Sequence, residues 1–321
     1  MKPTFNLVAV MVLATLIFLC SCSKTKDVSG PQEMVNQQEA FDQLIGNIDC
    51  LNKDFGISGT KGNGTRDGLK AAADIAGFIA GQSWGPTAFG WVGGVLTGSP
   101  MGAVAGYLCG QRYGGIVGSQ FSSYIAGLGY DLFSGCQIIV PYPDSEENVA
   151  CFELEADATI GKVHNFLLSR MEFKEEFVTV DNRLNIDAIY GEASENAQKY
   201  RIDDDLYQNE EYVAFIKECA VEIENIAYAI ATNTAEKSSE QYIKEFLINK
   251  TNLSENELDN LLALSASLSC SSDMEDAVVE EYEQAFFDLV EQSKLNDYNK
   301  TNVKSVGSIA IRSNNYWYAG E

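Results

Sequence analysis

The stretch Gly90 to Gly118, GWVGGVLTGSPMGAVAGYLCGQRYGGIVG, places Gly90, Gly94, Gly98, Gly102, Gly106, Gly110, Gly114 and Gly118 at every fourth position without a miss. Ser122 and Ala126 carry the same small-residue row onward, and a shorter row, Gly77, Gly81 and Gly85, precedes it. A glycine inside a helix costs about 1 kcal/mol relative to alanine, so a row this long is tolerated only where packing compensates. The compensation available is closeness. Small residues four apart leave a flat groove on one helix face, into which a second backbone settles at short distance. A helix turns by about 100° per residue, so a strict four-residue row drifts by about 40° per step and cannot keep to one face. The row must therefore be divided, and Ser99-Pro100 is the place, since proline disfavours helix at the residue before it and suits a first turn. The spacing predicts a glycine-faced helical hairpin, with one arm from near Asp67 to Leu96 and a second from Met101 to about Leu132.

The remaining faces of this stretch are apolar, with Phe78, Ile79, Trp84, Trp91, Val95 and Phe121 among their residues, and positions 75–111 carry no charge. By length alone that allows two short membrane passes. Against them, the density of Gly, Ser and Gln lowers the hydropathy, and Arg112 falls inside the second arm, where a charge in lipid is expensive. Two readings follow: a hairpin buried within the chain or against a partner or a second copy, and a hairpin that enters a membrane.

Upstream, Met1-Lys2 and the apolar run from Phe5 to Leu19 have the form of a secretory signal. The run ends in Leu19-Cys20-Ser21-Cys22, which resembles the bacterial lipobox. That resemblance implies cleavage before Cys22, lipidation of Cys22, and a protein held at the bacterial cell envelope, at the outer membrane, through its acyl chains, each buried methylene adding about 0.8 kcal/mol. The membrane, through the anchor, is then one partner. Residues 23–30 are polar and suit a tether, and a helical pattern through Phe41, Leu44, Ile48 and Leu51 runs to near Gly56.

From Pro141 the composition changes. Residues 141–321 hold 37 Asp and Glu against 14 Lys and Arg, a net of −23 within a chain total of −24. Such a charge excludes nucleic acid as a partner, because its phosphates are repelled. Helical periodicity runs through Ile160, Val163, Leu167 and Met171, and again through Tyr212, Ile216, Cys219, Ile223 and Ile230. Capping boxes at Ser238/Gln241, Ser254/Glu257 and Ser272/Glu275 predict helices near 239–249, 255–266 and 273–293. The run from Val306 to Arg312 alternates and is β-branched, which predicts a short extended C-terminal tail. The expected fold is mainly α: a glycine-rich helical hairpin packed with, or inserted in, an acidic multi-helix domain. Its segments are a signal peptide (1–21), a lipidated tether (22–31), an N-terminal helix and linker (32–66), the hairpin (67–136) and the acidic domain (137–321).

Without Cys20 and Cys22, six cysteines remain, and an even number in an exported chain invites disulfides. Six allow 15 pairings; Cys136 and Cys151 are the nearest in sequence and are expected to pair. No C-x-x-C spacing and a single histidine leave no structural zinc site, and no metal or other cofactor is expected.

Three constellations bear on chemistry. Gly81-Gln-Ser83-Trp-Gly85 matches the nucleophile elbow of serine hydrolases, with His164 downstream, but that elbow needs a strand before the serine, and the upstream chain reads as helix and linker. Asp181, Arg183, Asn185, Asp187 and Glu192 echo a calcium loop, except that Arg183 occupies a ligand position and Ile186 the place of the turn glycine. An Asp- and Asn-rich helix start accounts for them better. The third is Gly161-Lys-Val-His164-Asn165 before Phe166-Leu-Leu168; a lone histidine on a helix is usually packed or capping. With the glycine row before it and Tyr316-Trp317 after it, this motif resembles uncharacterised envelope lipoproteins of the Bacteroidota type, a likeness that brings no known activity. The glycine row is also similar to the helices of pore-forming bacteriocins, which pair through G-x-x-x-G faces. The function expected is non-catalytic binding or structure. A membrane-active role through the hairpin is the alternative, and serine hydrolysis is the remote one.

Overall fold

The computed structural model describes residues 31–57, 69–70, 72–82, 100–135, 159–200, 207–268 and 274–318. Its main helices, in chain order, are α1 Pro31–Asp54, α2 over 69–70 and 72–82, α3 Pro100–Ser134, α4 Thr159–Ser169, α5 Ile186–Lys199, α6 Glu210–Ala231, α7 Ser239–Lys250, α8 Glu255–Leu268, α9 Asp276–Gln292 and α10 Asp297–Tyr318. No strand occurs among the described residues; the one β-bridge, Val178 with Leu184, is isolated. The fold is therefore mainly α.

Two helices form its axis. Every residue of α3 from Gly114 to Gly129 is buried, as is every residue of α10 from Ser305 to Ser313. A helix buried on all sides lies inside a protein instead of on its surface. α6 packs against α3, α4 packs against both α3 and α10, and α8 and α9 flank α10. α1 closes the far side against α8 and α9. It is pinned there by Asn52, whose Nδ2 donates to the Ser267 carbonyl (3.0 Å) and whose Oδ1 accepts from the Tyr282 hydroxyl (2.5 Å).

The glycines of α2 and α3 meet. A methyl group on Gly77 would collide with the Gly118 carbonyl oxygen, and one on Gly81 with that of Gly114; the reverse holds for Gly118 against Gly77. Such proximity leaves no room for any Cβ. A further acceptor of α3, the Gly114 carbonyl, takes the Tyr212 hydroxyl of α6 (2.8 Å). The four-residue row is thus filled, at Gly114 and Gly118, from within the chain. Gly102, Gly106 and Gly110 lie in the first half of α3; Gly90, Gly94 and Gly98 lie outside the described residues.

Helix starts follow their signals in part. Ser238 and Gln241 make the reciprocal capping box of α7, and Ser254 accepts from Glu257 N (3.3 Å) ahead of α8 while donating to its carboxylate (2.6 Å). α9 begins later than expected, at Asp276 with Glu275 as N-cap and no side-chain cap bond. The expected extended tail is corrected: residues 306–312 are the centre of α10. A short run of small and apolar residues does not distinguish a strand from a helix buried on all sides. Here Val303, Val306 and Ala310 lie on one helical stripe and Ile309 and Ile311 on others, all fully buried.

One turn departs from this economy. Between Val178 and Leu184, Thr179 N donates to the Arg183 carbonyl (2.8 Å), and Asn182 takes φ +57°. The turn holds Val180 wholly in solvent, while Arg183 lies 5.6 Å from the Phe133 ring and donates to Glu224 (2.9 Å).

The glycine contact generates a graded expectation. Gly81→Ala and Gly118→Ala force backbones apart and should lower stability by about 1–3 kcal/mol. Gly46→Ala and Gly191→Ala, within α1 and α5, where an added methyl meets nothing within 4 Å, should raise it by up to about 1 kcal/mol. Thermal unfolding of the four variants checks this; equal effects at all four would show the contact to be loose.

Candidate functional site

Chemistry-bearing side chains gather where α2, α4, α9 and α10 converge. His164, the one histidine of the chain, stands on α4 with no exposed surface. Its Nε2 lies 2.8 Å from Asp74 Oδ1 of α2, and its Nδ1 lies 3.0 Å from Asn165 Oδ1. Asp74 is also fully buried, and its Oδ2 accepts from the Ser313 hydroxyl of α10. Asn165 Nδ2 donates to the Arg312 carbonyl (3.1 Å). α4 carries this cluster because Gly161 lets it close on α10: a side chain there would strike Arg312 and the Ser308 carbonyl. The Gly161 amide donates to Ser308 Oγ (3.1 Å).

A second centre adjoins it. Arg312 Nε and Nη2 donate to Glu283 Oε2 of α9 (3.0 and 2.7 Å), and Ser308 Oγ donates to Oε1 (2.7 Å). Burial pushes the Glu283 carboxyl above the usual carboxylate range, and the Arg312 guanidinium and the Ser308 hydroxyl offset this in part. Buried ion pairs of this kind contribute little net stability, yet removing one partner strands the other charge at a cost of about 3–5 kcal/mol.

Chemically, the junction has the residue types of an acid–base site but not the wiring. Ser313 bonds to Asp74 and not to the imidazole, so the serine–histidine contact of a hydrolase triad is not made at this serine. The elbow sequence fares similarly: Gly81 and Gln82 lie in helix α2, Gln82 Nε2 donating to Asn302 Oδ1 (2.9 Å), and Ser83 lies outside the described residues. The calcium-like sequence is dispersed. Asn185 caps α5 by accepting from Ala188 N (3.3 Å), Asp187 pairs with Lys217 (2.7 Å), and Glu192 pairs with Lys174. No group of three or more His, Cys, Asp or Glu residues fit for a metal occurs among the described residues. Cys22, Cys136 and Cys151 lie outside the described residues, while Cys50 and Cys219 are free thiols, the first exposed and the second buried.

Sequence reasoning found His164 but missed Asp74, Glu283, Arg312 and Ser313. A signal existed: Glu283 shares an apolar helical stripe with Val279, Tyr282, Phe286 and Val290, all fully buried. A charge on a core-facing stripe has to be paired.

Three expectations follow. Glu283→Ala should destabilise by about 3–5 kcal/mol by stranding Arg312, whereas Glu283→Gln keeps an acceptor and should cost less. Because folded Glu283 holds its proton to higher pH than the unfolded chain does, the stability it contributes at low pH is lost as pH rises through its folded value; denaturant titrations at several pH values should show that slope flattened in Glu283→Gln. Separately, burial pushes the Cys219 thiol up to about 12, so alkylation of native protein at neutral pH should modify Cys50 and spare Cys219 until the chain is unfolded. Comparison with known proteins places the chain beside none: no family model, no curated protein and no solved structure matches it.

Proposed function

We propose that this chain is an exported, lipid-anchored protein of the bacterial envelope with a structural or binding role and no catalysis of its own. The observation that carries the location is Leu19-Cys20-Ser21-Cys22 at the end of an apolar run, with Cys22 as the lipidated residue. The non-catalytic role is supported by the junction, where His164 and Asp74 are spent on internal bonds and have no exposed surface. In this reading the glycine-faced pair α2 and α3 is the inner scaffold, and the acidic helices form a shell that keeps the domain soluble beside the membrane. A partner is then met through the shell or through the part of the glycine row upstream of Gly114. No described helix is long and apolar enough to cross a membrane.

Replacing Cys22 by Ala tests the anchor. Expressed with its leader, the variant should lose incorporation of labelled fatty acid and leave the membrane fraction. Continued labelling would refute the assignment. Dye release from vesicles by the purified parent chain, abolished by Gly114→Leu, would instead favour the membrane-active alternative.

A further inference from the structure

The helices of the domain share two ends. α1 and α10 start together: Gln37 Oε1 accepts from the Asn296 amide (3.0 Å) and from Asn299 Nδ2 (3.1 Å), and Gln37 Nε2 donates to the Lys294 carbonyl (3.4 Å). α2 finishes at the same end, since Gln82 bonds Asn302 while Asp74, eight residues earlier, bonds Ser313. α3 runs antiparallel to α2, because Gly81 meets Gly114, Gly77 meets Gly118 and Lys70 lies over Gly127. The fourteen residues of α3 that precede Gly114, positions 100–113, therefore lie on the side where α1 and α10 start. The opposite end holds the close of α3, where Phe133 meets Tyr228 and Arg183, and with it the turn that carries Val180.

We infer that the protein stands on the bilayer on the first of these ends, with Tyr298 at the level of the lipid headgroups and the Val180 turn directed away from them. The inference rests on the lipid anchor proposed above and adds the face that meets the lipid. Cys22 lies nine residues before Pro31, and a chain spans at most about 3.6 Å per residue, so the tether reaches about 32 Å at most. With the opposite end on the membrane, Pro31 would stand roughly 40 Å above it, since six residues of α1 to Gln37 and nineteen of α3 from Gly114 to Phe133 each add about 1.5 Å. The tether is too short for that. Side-chain chemistry at the first end agrees. Tyr298, in the first turn of α10, is 50% exposed, and a tyrosine suits a headgroup boundary because its ring is apolar and its hydroxyl wet. Positions 293–304 hold Lys294, Lys300 and Lys304 against Asp297 alone, within a domain of net charge −23, and lysines are drawn to a lipid surface. The nearest further acid in sequence, Glu291, is paired with Lys300 and Lys304. Positions 100–111, in the first part of α3, carry no charge at all. Tyr228, the exposed aromatic of the opposite end, has Phe133 and Arg183 as ring partners within the chain.

Photoreactive benzoylphenylalanine, introduced in one sample for Tyr298 and in another for Val180, tests the orientation, and both sites are exposed enough for the replacement to leave packing intact. The full acylated chains are incorporated into vesicles of phosphatidylethanolamine and phosphatidylglycerol, recovered by flotation and irradiated. Mass spectrometry then reads the mass of the peptide beginning at Cys22 and, separately, phospholipid adducts at positions 298 and 180. Adducts at 298 and none above background at 180 are expected. A floated, acylated chain with adducts at 180, or with none at 298, overturns the orientation and leaves the anchor standing. A chain with an unmodified Cys22 overturns the anchor, and the orientation falls with it.

Discussion

Two backbones touching without side chains between them set the terms for the rest of this structure. Where Gly77 and Gly81 of α2 meet Gly114 and Gly118 of α3, each carbonyl occupies the space a Cβ would need. Closeness of that order is available only to glycine, and it has to offset what each glycine costs its helix. It does so by allowing the stretch of α3 from Gly114 to Gly129 to be enclosed on all sides, with α2, α6 and α4 packed against the helix. Wider spacing at this contact would leave Phe78, Ile116 and Phe121, all now fully enclosed, without their present neighbours.

Enclosure has a polar price, met at the junction. α2 carries Asp74 into the fully buried interior, and two other helices answer it, α4 with His164 and α10 with Ser313. The same logic recurs at Glu283, answered by Arg312 and Ser308. Hydrogen-bonded groups of this kind specify which helix lies against which, since an apolar surface alone tolerates sliding.

Local features were readable in the sequence and distant ones were not. Pro100 marked the start of α3, and Ser238 and Ser254 marked α7 and α8, because each acts within one helical turn. The late start of α9 had no such residue to announce it. The centre of α10 reads as a short extended tail because Ser305 to Ser313 is buried all round, so its apolar residues keep to no single face that would show a helical period. His164 could be picked out as the lone histidine, but its partner Asp74 stands 90 positions earlier and nothing in the spacing joins them.

The reach of these bonds along the chain bears on the order in which the molecule is completed. Gln38 bonds Asn260 across 222 positions, Gln82 bonds Asn302 across 220, and Asp74 bonds Ser313 across 239. Early helices are therefore held by late ones. Contacts so distant are slow to form, because the intervening chain must be ordered before they repay its lost freedom. A nascent chain lacking α10 has no occupant for the centre of its core, and Asp74 and His164 wait without Ser313 and Arg312. Assembly is consequently a late and collective event, in which α10, synthesised after the other described helices, admits them to their final places.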